Sequence, residues 1–585
     1  MTLAACGGRT LGPPVPGDAS WARAPAISRV LLVALMMSWA CLGRAEGAPG
    51  RVGGVVATVH PLATQAGIEA LEGGGNAIDA AVAAALTLGV VDAHDSGIGG
   101  GCFMLIRSAD GRLVCIDGRE MAPRAASRDM YIREGRPDAS LSKTGPLASA
   151  VPGALAAYQY ALDQFGRRKL ADALRAGIRH AEEGFPIDAV FARKLKVGAG
   201  DIARFPASRA IFLKPDGSPY QEGETLVQKD LAQSYRALAE VGADWFYREP
   251  FPRECEASMG ADGGILAAED FRKYRIRLRD PLITTYQEWT VVGVPPPSSG
   301  GVHVAQMLNI LEHFDFRCAP AESPDAAHMI IEAMKLAFAD RAHWLGDPDF
   351  ADVPRGLVDK GYGAALFSRI DPFKATRVSG HGEPPDWQSR HFEKHTTHFA
   401  AADELGNWVA CTATINTPFG SKVVIPGTGI LMNNEMDDFS IAPGQPNSFQ
   451  LVGADANAIA PGKRPLSSMS PTLVMKGGRV VLAIGASGGP TIISQTLLGL
   501  VRCLDYAMSP VEALRLPRFH HQWSPDRVRI EKGYSDDFRE NLRRRGHVLD
   551  AVENFGACQI IGIDATGEFS GASDPRVPGL AAVVP

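Results

Sequence analysis

The sequence has 585 residues, more than one small core requires and enough for one large or two ordinary domains. Its 45% hydrophobic and 21% charged content excludes a disordered chain, and 63 Gly and 41 Pro without a fixed period exclude a collagen-like fibre. The net charge of −6, from 59 Lys and Arg against 65 Asp and Glu, argues against a nucleic-acid partner, whose phosphates call for a clearly basic face.

In chain order the first feature is a leader. Residues 30–42 (VLLVALMMSWACL) form an uncharged apolar run after Arg29, too short to span a bilayer comfortably. The run fits the core of a signal peptide, and Gly43-Arg44-Ala45 fits a small-x-small cleavage site. Residues 1–45 are therefore read as a signal peptide and the mature protein as exported, periplasmic or secreted. Cys41 after Ala40 suggests lipoprotein anchoring instead, but Ser38-Trp39 fits that pattern poorly. Export permits disulfides, yet Cys102, Cys115, Cys255, Cys318, Cys411, Cys503 and Cys558 are scattered without a CxxC pair. Buried free thiols are expected, with a Cys102–Cys115 bridge as the alternative. There is no HExxH, and neither a metal nor a cofactor is expected.

Residues 54–59 (GVVATV) read as a strand, and residues 61–71 and 76–88 as helices, the second Ala-rich and suited to close packing. Ser96-Gly97-Ile98-Gly99-Gly100-Gly101 then precedes a strand, CFMLI. A dinucleotide fingerprint needs strand, glycine turn and helix in that order. Here the glycines follow a helix, so they read as a crowded backbone crossing. Residues 169–183 and 325–343 read as amphipathic helices. Pro295-Pro296-Pro297-Ser298-Ser299-Gly300-Gly301 is a rigid turn between a strand (WTVVGV) and a helix (VHVAQMLNIL). Residues 442–465 read as a surface loop. The mixture predicts a layered α/β or α+β fold.

Two segments carry candidate chemistry. Residues 396–402 (TTHFAAA) and 408–416 (WVACTATIN) read as strands of a hairpin around Asp403–Asn407. A turn centred on Leu405 places Thr396 opposite Thr414. Further on, RVVLAIGA is a buried strand, Ser487-Gly488-Gly489 turns it, and Pro490 opens a helix. Glycines at such a turn present N–H groups at the positive helix end, where a developing oxyanion is stabilised. Groups for both ends of an amino acid are also present. Arg119, Ser467 and Ser468 suit a carboxylate, while Glu435 and Asp438, within NNEMDDFS, suit an ammonium.

These residues lie within stretches that resemble one family: HPLATQAG, GGNAIDAAVA, SGIGGGCFML, DGREMAP, PPPSSGG, EAMKLAFADRA, TTHF, TINTPFGSKVV, GILMNNEMDDFS, RPLSSMSPT, GASGGP and GASDPR. The chain is similar to the γ-glutamyltranspeptidases, members of the N-terminal nucleophile hydrolases, from about Val55 to Ala581. The resemblance implies an α+β fold, a four-layer αββα sandwich built from both subunits of a precursor. That precursor would cut itself between His395 and Thr396, giving a large subunit of residues 46–395 and a small one of residues 396–585. Thr396 would be the nucleophile with its freed amine as base, supported by Thr414. Gly488 and Gly489 would supply the oxyanion N–H groups. Arg119, Ser467 and Ser468 would hold the α-carboxylate of a γ-glutamyl group, and Asn416, Glu435 and Asp438 its ammonium. Glutathione and related γ-glutamyl compounds are the implied donors, with water, amino acids or peptides as acceptors. The loop Ser440–Pro465 is expected to cover the donor pocket. Related enzymes often carry a tyrosine at Phe449, so here the latch is expected to be apolar. An acylase on the same fold and a periplasmic binding protein are the rival readings.

Overall fold

The computed structural model describes residues 52–385 and 398–585, apart from Pro443 and Ala565. The leader, Cys6, Cys41 and the His395–Thr396 bond lie outside the described residues.

Two antiparallel sheets are built, in chain order, from β1 (Gly54–Thr58), β2 (Gly101–Arg107), β3 (Leu113–Gly118), β4 (Arg277–Arg279), β5 (Leu282–Tyr286), β6 (Trp289–Gly293), β7 (Phe399–Asp403), β8 (Trp408–Thr414), β9 (Thr472–Lys476), β10 (Arg479–Ser487), β11 (Ala557–Ile563), β12 (Phe569–Ser573) and β13 (Leu580–Val584). One sheet has the order β13-β1-β7-β8-β2-β3-β4 and the other β12-β11-β10-β9-β6-β5. Both faces of the central strands are covered, which is why these read as unbroken apolar runs, whereas the edge strand β5 alternates buried and exposed residues. The period of two survives as a choice between two cores. In β8, Trp408 and Ala410 enter the core between the sheets, while Val409, Cys411 and Ala413 enter the core beneath helices. In β9 and β10, Leu473 and Ala483 face the inter-sheet core, while Val474, Leu482 and Ile484 face the opposite helical layer.

The first helical layer contains α1 (Pro61–Glu72), α2 (Ala77–Val91) and α3 (Ala154–Phe165); the second contains α4 (Ser299–Leu311), α5 (Pro324–Trp344) and α6 (Thr491–Leu504). The result is the expected αββα sandwich. All of α2 is buried, and its alanines permit that approach. Asn76 caps it, accepting from the Ile78 and Asp79 N–H groups at 3.0 and 3.2 Å, and Asp79 returns a bond to the Asn76 N–H at 2.7 Å. The helix expected over 169–183 is interrupted at Leu174, a break no local side-chain bond explains.

The hairpin register is symmetric about Leu405, as the sequence predicts: Phe399 pairs with Cys411, Ala400 with Ala410, Ala401 with Val409 and Ala402 with Trp408. Thr396 itself lies outside the described residues. The glycine run is a backbone crossing under this hairpin. A Cβ on Gly100 would lie 1.8 Å from the Thr414 carbonyl oxygen, and one on Gly101 2.3 Å from Glu120 Oε2. The seven described cysteines form no disulfide with one another.

Candidate active site

The site lies where the two sheets' strand ends and the loops beyond them meet around a cavity of about 730 Å³. Thr414, Asn416, Glu435, Asp438, Ser467, Ser468, Gly488 and Gly489 all line it. Thr414 ends β8, and its hydroxyl accepts from the Asn416 N–H at 2.7 Å. That bond turns the chain at Asn416, which takes φ +76°. The Asn416 amide donates to the Asn434 carbonyl at 2.9 Å.

NNEMDDFS divides its polar groups between support and cavity. Asn433 bonds the Gly99 and Ala150 carbonyls at 2.8 and 2.9 Å, and Asp437 accepts from Ser142 and from the Ser448 N–H at 2.8 and 3.0 Å. Glu435 and Asp438, one 3₁₀ turn apart, face Arg119 instead. Arg119 is fully buried just past β3. Its guanidinium donates to Glu435 Oε1, to Asp438 Oδ2 at 2.7 Å, and to the Pro465 and Leu466 carbonyls at 3.3 and 3.5 Å. The sequence separates these groups into a carboxylate clamp and an ammonium clamp. The structure joins them in one ion-paired cluster, because buried charges are stable only when paired.

A third acid belongs to the cluster. Glu120, fully buried, lies 3.5 Å from the Arg119 Nη1. Burial pushes its carboxyl up to about 7, with the Arg119 charge opposing. Burial also raises Glu435 and Asp438, again against Arg119. A carboxyl whose folded pKa is raised stabilises the fold below its unfolded pKa, near 4.5 here, and loses that contribution as pH rises through about 7. Glu120→Gln should therefore gain stability relative to the parent between pH 5 and pH 8, on the order of 2–3 kcal/mol. Thermal melting across that range measures it, and a pH-independent difference would contradict the assignment.

Ser467 and Ser468 are held by the Pro-rich turn, a role its sequence does not disclose. The Ser467 N–H donates to the Pro297 carbonyl at 2.7 Å, and the Ser299 hydroxyl to the Ser467 carbonyl at 2.6 Å. Gly300 is required there: a Cβ would lie 1.9 Å from the Met469 oxygen. Sequence reasoning also missed Arg341 on α5. It is buried, and it donates to Ser299 Oγ at 2.9 Å and to Ser468 Oγ at 3.2 Å. Its charge thus stands directly behind Ser468, and burial lowers its pKa to about 10. Only the distant ADR triplet marks it, and nothing local ties that to a serine 127 residues away.

Gly488 and Gly489 follow β10 with φ +125° and +61°. Among the described residues neither N–H donates to a protein acceptor. The helix starts at Thr491 with Pro490 as its cap, one residue later than expected. Over this turn lies Phe449, whose ring would be 2.6 Å from a Cβ on Gly489. The loop therefore does cover this end of the cavity, but its latch is not apolar alone. The Gln522 amide donates to the Phe449 and Gln450 carbonyls at 3.2 and 3.0 Å.

The family model described as gamma-glutamyltranspeptidase matches residues 63–584. The chain is 44% identical over 526 residues to the glutathione hydrolase proenzyme of Escherichia coli (strain K12), covering 89% of this chain and 90% of that one. It is 39% identical over 540 residues to the acylase ACY 1 proenzyme of Pseudomonas sp. (strain SE83), covering 90% and 92%. The crystal structure of cephalosporin acylase from Bacillus halodurans matches with a TM-score of 0.81 at 30% identity, over 91% of this chain and 96% of that one.

Proposed function

The chain belongs to the γ-glutamyltranspeptidase family, and from that premise we propose that it is an exported glutathione hydrolase and γ-glutamyltransferase that works through an ester on Thr396. The observation that carries this reading is that Glu435 and Asp438, ion-paired with Arg119 buried behind them, line one cavity with Ser467 and Ser468. A γ-glutamyl group is a zwitterion at its α-carbon. Its ammonium gives Glu435 and Asp438 a second cation and meets the Asn416 side chain. Its carboxylate takes the Arg119 donors so released, together with the Ser467 and Ser468 hydroxyls. Ser468 already accepts from Arg341, so its own proton is free to be donated to the substrate.

Self-cleavage between His395 and Thr396 creates the small subunit, 396–585, and the amine that serves as base; the large subunit is 46–395. The amine takes the Thr396 proton as the hydroxyl attacks the γ-carbonyl, with Thr414 supporting the nucleophile. The Gly488 and Gly489 N–H groups receive the oxyanion. Collapse expels the amine of the leaving peptide, which takes the proton, and leaves the γ-glutamyl ester. Water or a second amine then attacks that ester and regenerates Thr396. No step calls for a metal or cofactor. Removal of residues 1–45 would release the protein after export, and no helix among the described residues is long and apolar enough to cross a membrane.

The acylase relatives offer the second reading, in which the acyl group has no α-ammonium. Two carboxylates at the donor end argue against it, since they would then face the substrate without a cation of its own. The protein incubated with glutathione should release glutamate and cysteinylglycine, and added glycylglycine should divert part of the group into a γ-glutamyl dipeptide. Cleavage of a glutaryl amide but not of the γ-glutamyl amide would favour the acylase reading.

A further inference from the structure

The cavity extends beyond the donor end. Past the Gly488 turn its wall carries Arg527, Arg529, Asp550, Asn554 and Gly556, and Arg576. Most of the cations around it are already paired. Arg527 bonds Asp550 at 3.2 Å, Arg576 bonds Glu531 and Asp574 at 2.6 and 3.1 Å, and Lys194 bonds Asp95. Of the two that form no ion pair among the described residues, Arg193 is exposed and Arg529 is not. Arg529 lies in the short strand Val528–Glu531, whose Val528 and Ile530 enter the second helical core, so alternation turns Arg529 to the other face. It is half-buried, and no carboxylate among the described residues forms an ion pair with it. Its cross-strand neighbour Asp550 is engaged by Arg527. Burial lowers the Arg529 pKa, and only the charge of Asp550 opposes this.

Arg529 is also close to the chemistry. Its guanidinium carbon stands 5.3 Å from the centre of the Phe555 ring, which orients the planar group. The next residue, Gly556, packs on the oxyanion turn so tightly that a Cβ would lie 1.7 Å from the Ser487 oxygen and 2.9 Å from Gly488 Cα. The Phe555–Gly556 corner thus joins Arg529 to the turn at which the leaving amine departs. A half-desolvated guanidinium with no ion pair of its own among the described residues, oriented on an aromatic face in a ligand-sized cavity, is built for a carboxylate.

We infer that Arg529 binds the terminal carboxylate of the peptide on the leaving-group side of the scissile amide, and of an acceptor peptide occupying the same place. This rests on the γ-glutamyl reading above, and two donors separate the two claims. Glutathione carries a carboxylate on its leaving group; γ-glutamyl-p-nitroanilide does not. In Arg529→Gln the KM for glutathione should rise about tenfold, the loss expected of one charge-assisted pair. The kcat/KM for the anilide should stay at the parent value, and Arg529→Lys should restore part of the glutathione affinity. A mutation-free arm compares glutathione with its C-terminal amide on the parent enzyme, which should bind the amide about as poorly as Arg529→Gln binds glutathione. Equal KM values for acid and amide on the parent enzyme, or an Arg529→Gln defect shared equally by glutathione and anilide, would overturn the inference. If the parent enzyme fails to cleave the anilide at all, the γ-glutamyl reading falls instead.

Discussion

Thr396→Ala should yield an uncut chain without γ-glutamyl hydrolase activity. The two losses would have one cause, because in the proposed mechanism the same hydroxyl attacks the His395–Thr396 peptide during maturation and the donor amide during turnover. The sequence reading supports the assignment: symmetry about Leu405 sets Thr396 opposite Thr414, the described pairs Phe399–Cys411 to Ala402–Trp408 keep that symmetry, and Thr414 lines the cavity. The expected loss of activity is at least about 10⁴-fold, the scale on which removal of a covalent nucleophile acts. Denaturing electrophoresis and intact mass read the first effect, and anilide hydrolysis the second. Two subunits from this variant would show that another group cuts the chain.

Asp438→Asn keeps the shape of the donor pocket and removes one of its charges. Arg119 would retain Glu435 and the two carbonyls, so the cluster should stay folded, but the donor ammonium would lose a partner in a buried site. The expected cost in donor binding is on the order of 2–5 kcal/mol. It should appear as a raised KM for both glutathione and the anilide, which distinguishes it from the Arg529 effect. Self-cleavage should proceed, since no donor is present then. An unchanged KM, or a precursor that no longer matures, would place Asp438 in folding rather than in donor recognition.

What could be read from the sequence follows the range of the interactions involved. The hairpin was legible because its turn residues and both strands lie within about twenty positions, and symmetry about Leu405 fixes the pairs. The Gly488-Gly489 turn was legible because strand, glycines and Pro490 are contiguous. Which groups compensate which charges was not. Arg119 meets Glu435 across 316 residues, and Arg341 meets Ser468 across 127. Such pairs are set by packing two sheets between helices, and local pattern carries no trace of them. The same holds for the Pro-rich turn: its rigidity is written locally, but that it holds Ser467 is known only once β6 and β9 are neighbours in one sheet. The loop over Gly489 falls between. Its position was readable from its length and composition, while its fastening by Gln522 was not.

The most direct test is to mix the mature protein with glutathione, quench in acid within a turnover, and measure the mass of the peptide that begins the small subunit. That peptide should start at Thr396 and carry one added γ-glutamyl group, lost on longer incubation. A small subunit starting elsewhere, or a γ-glutamyl group found on another residue, would contradict the mechanism.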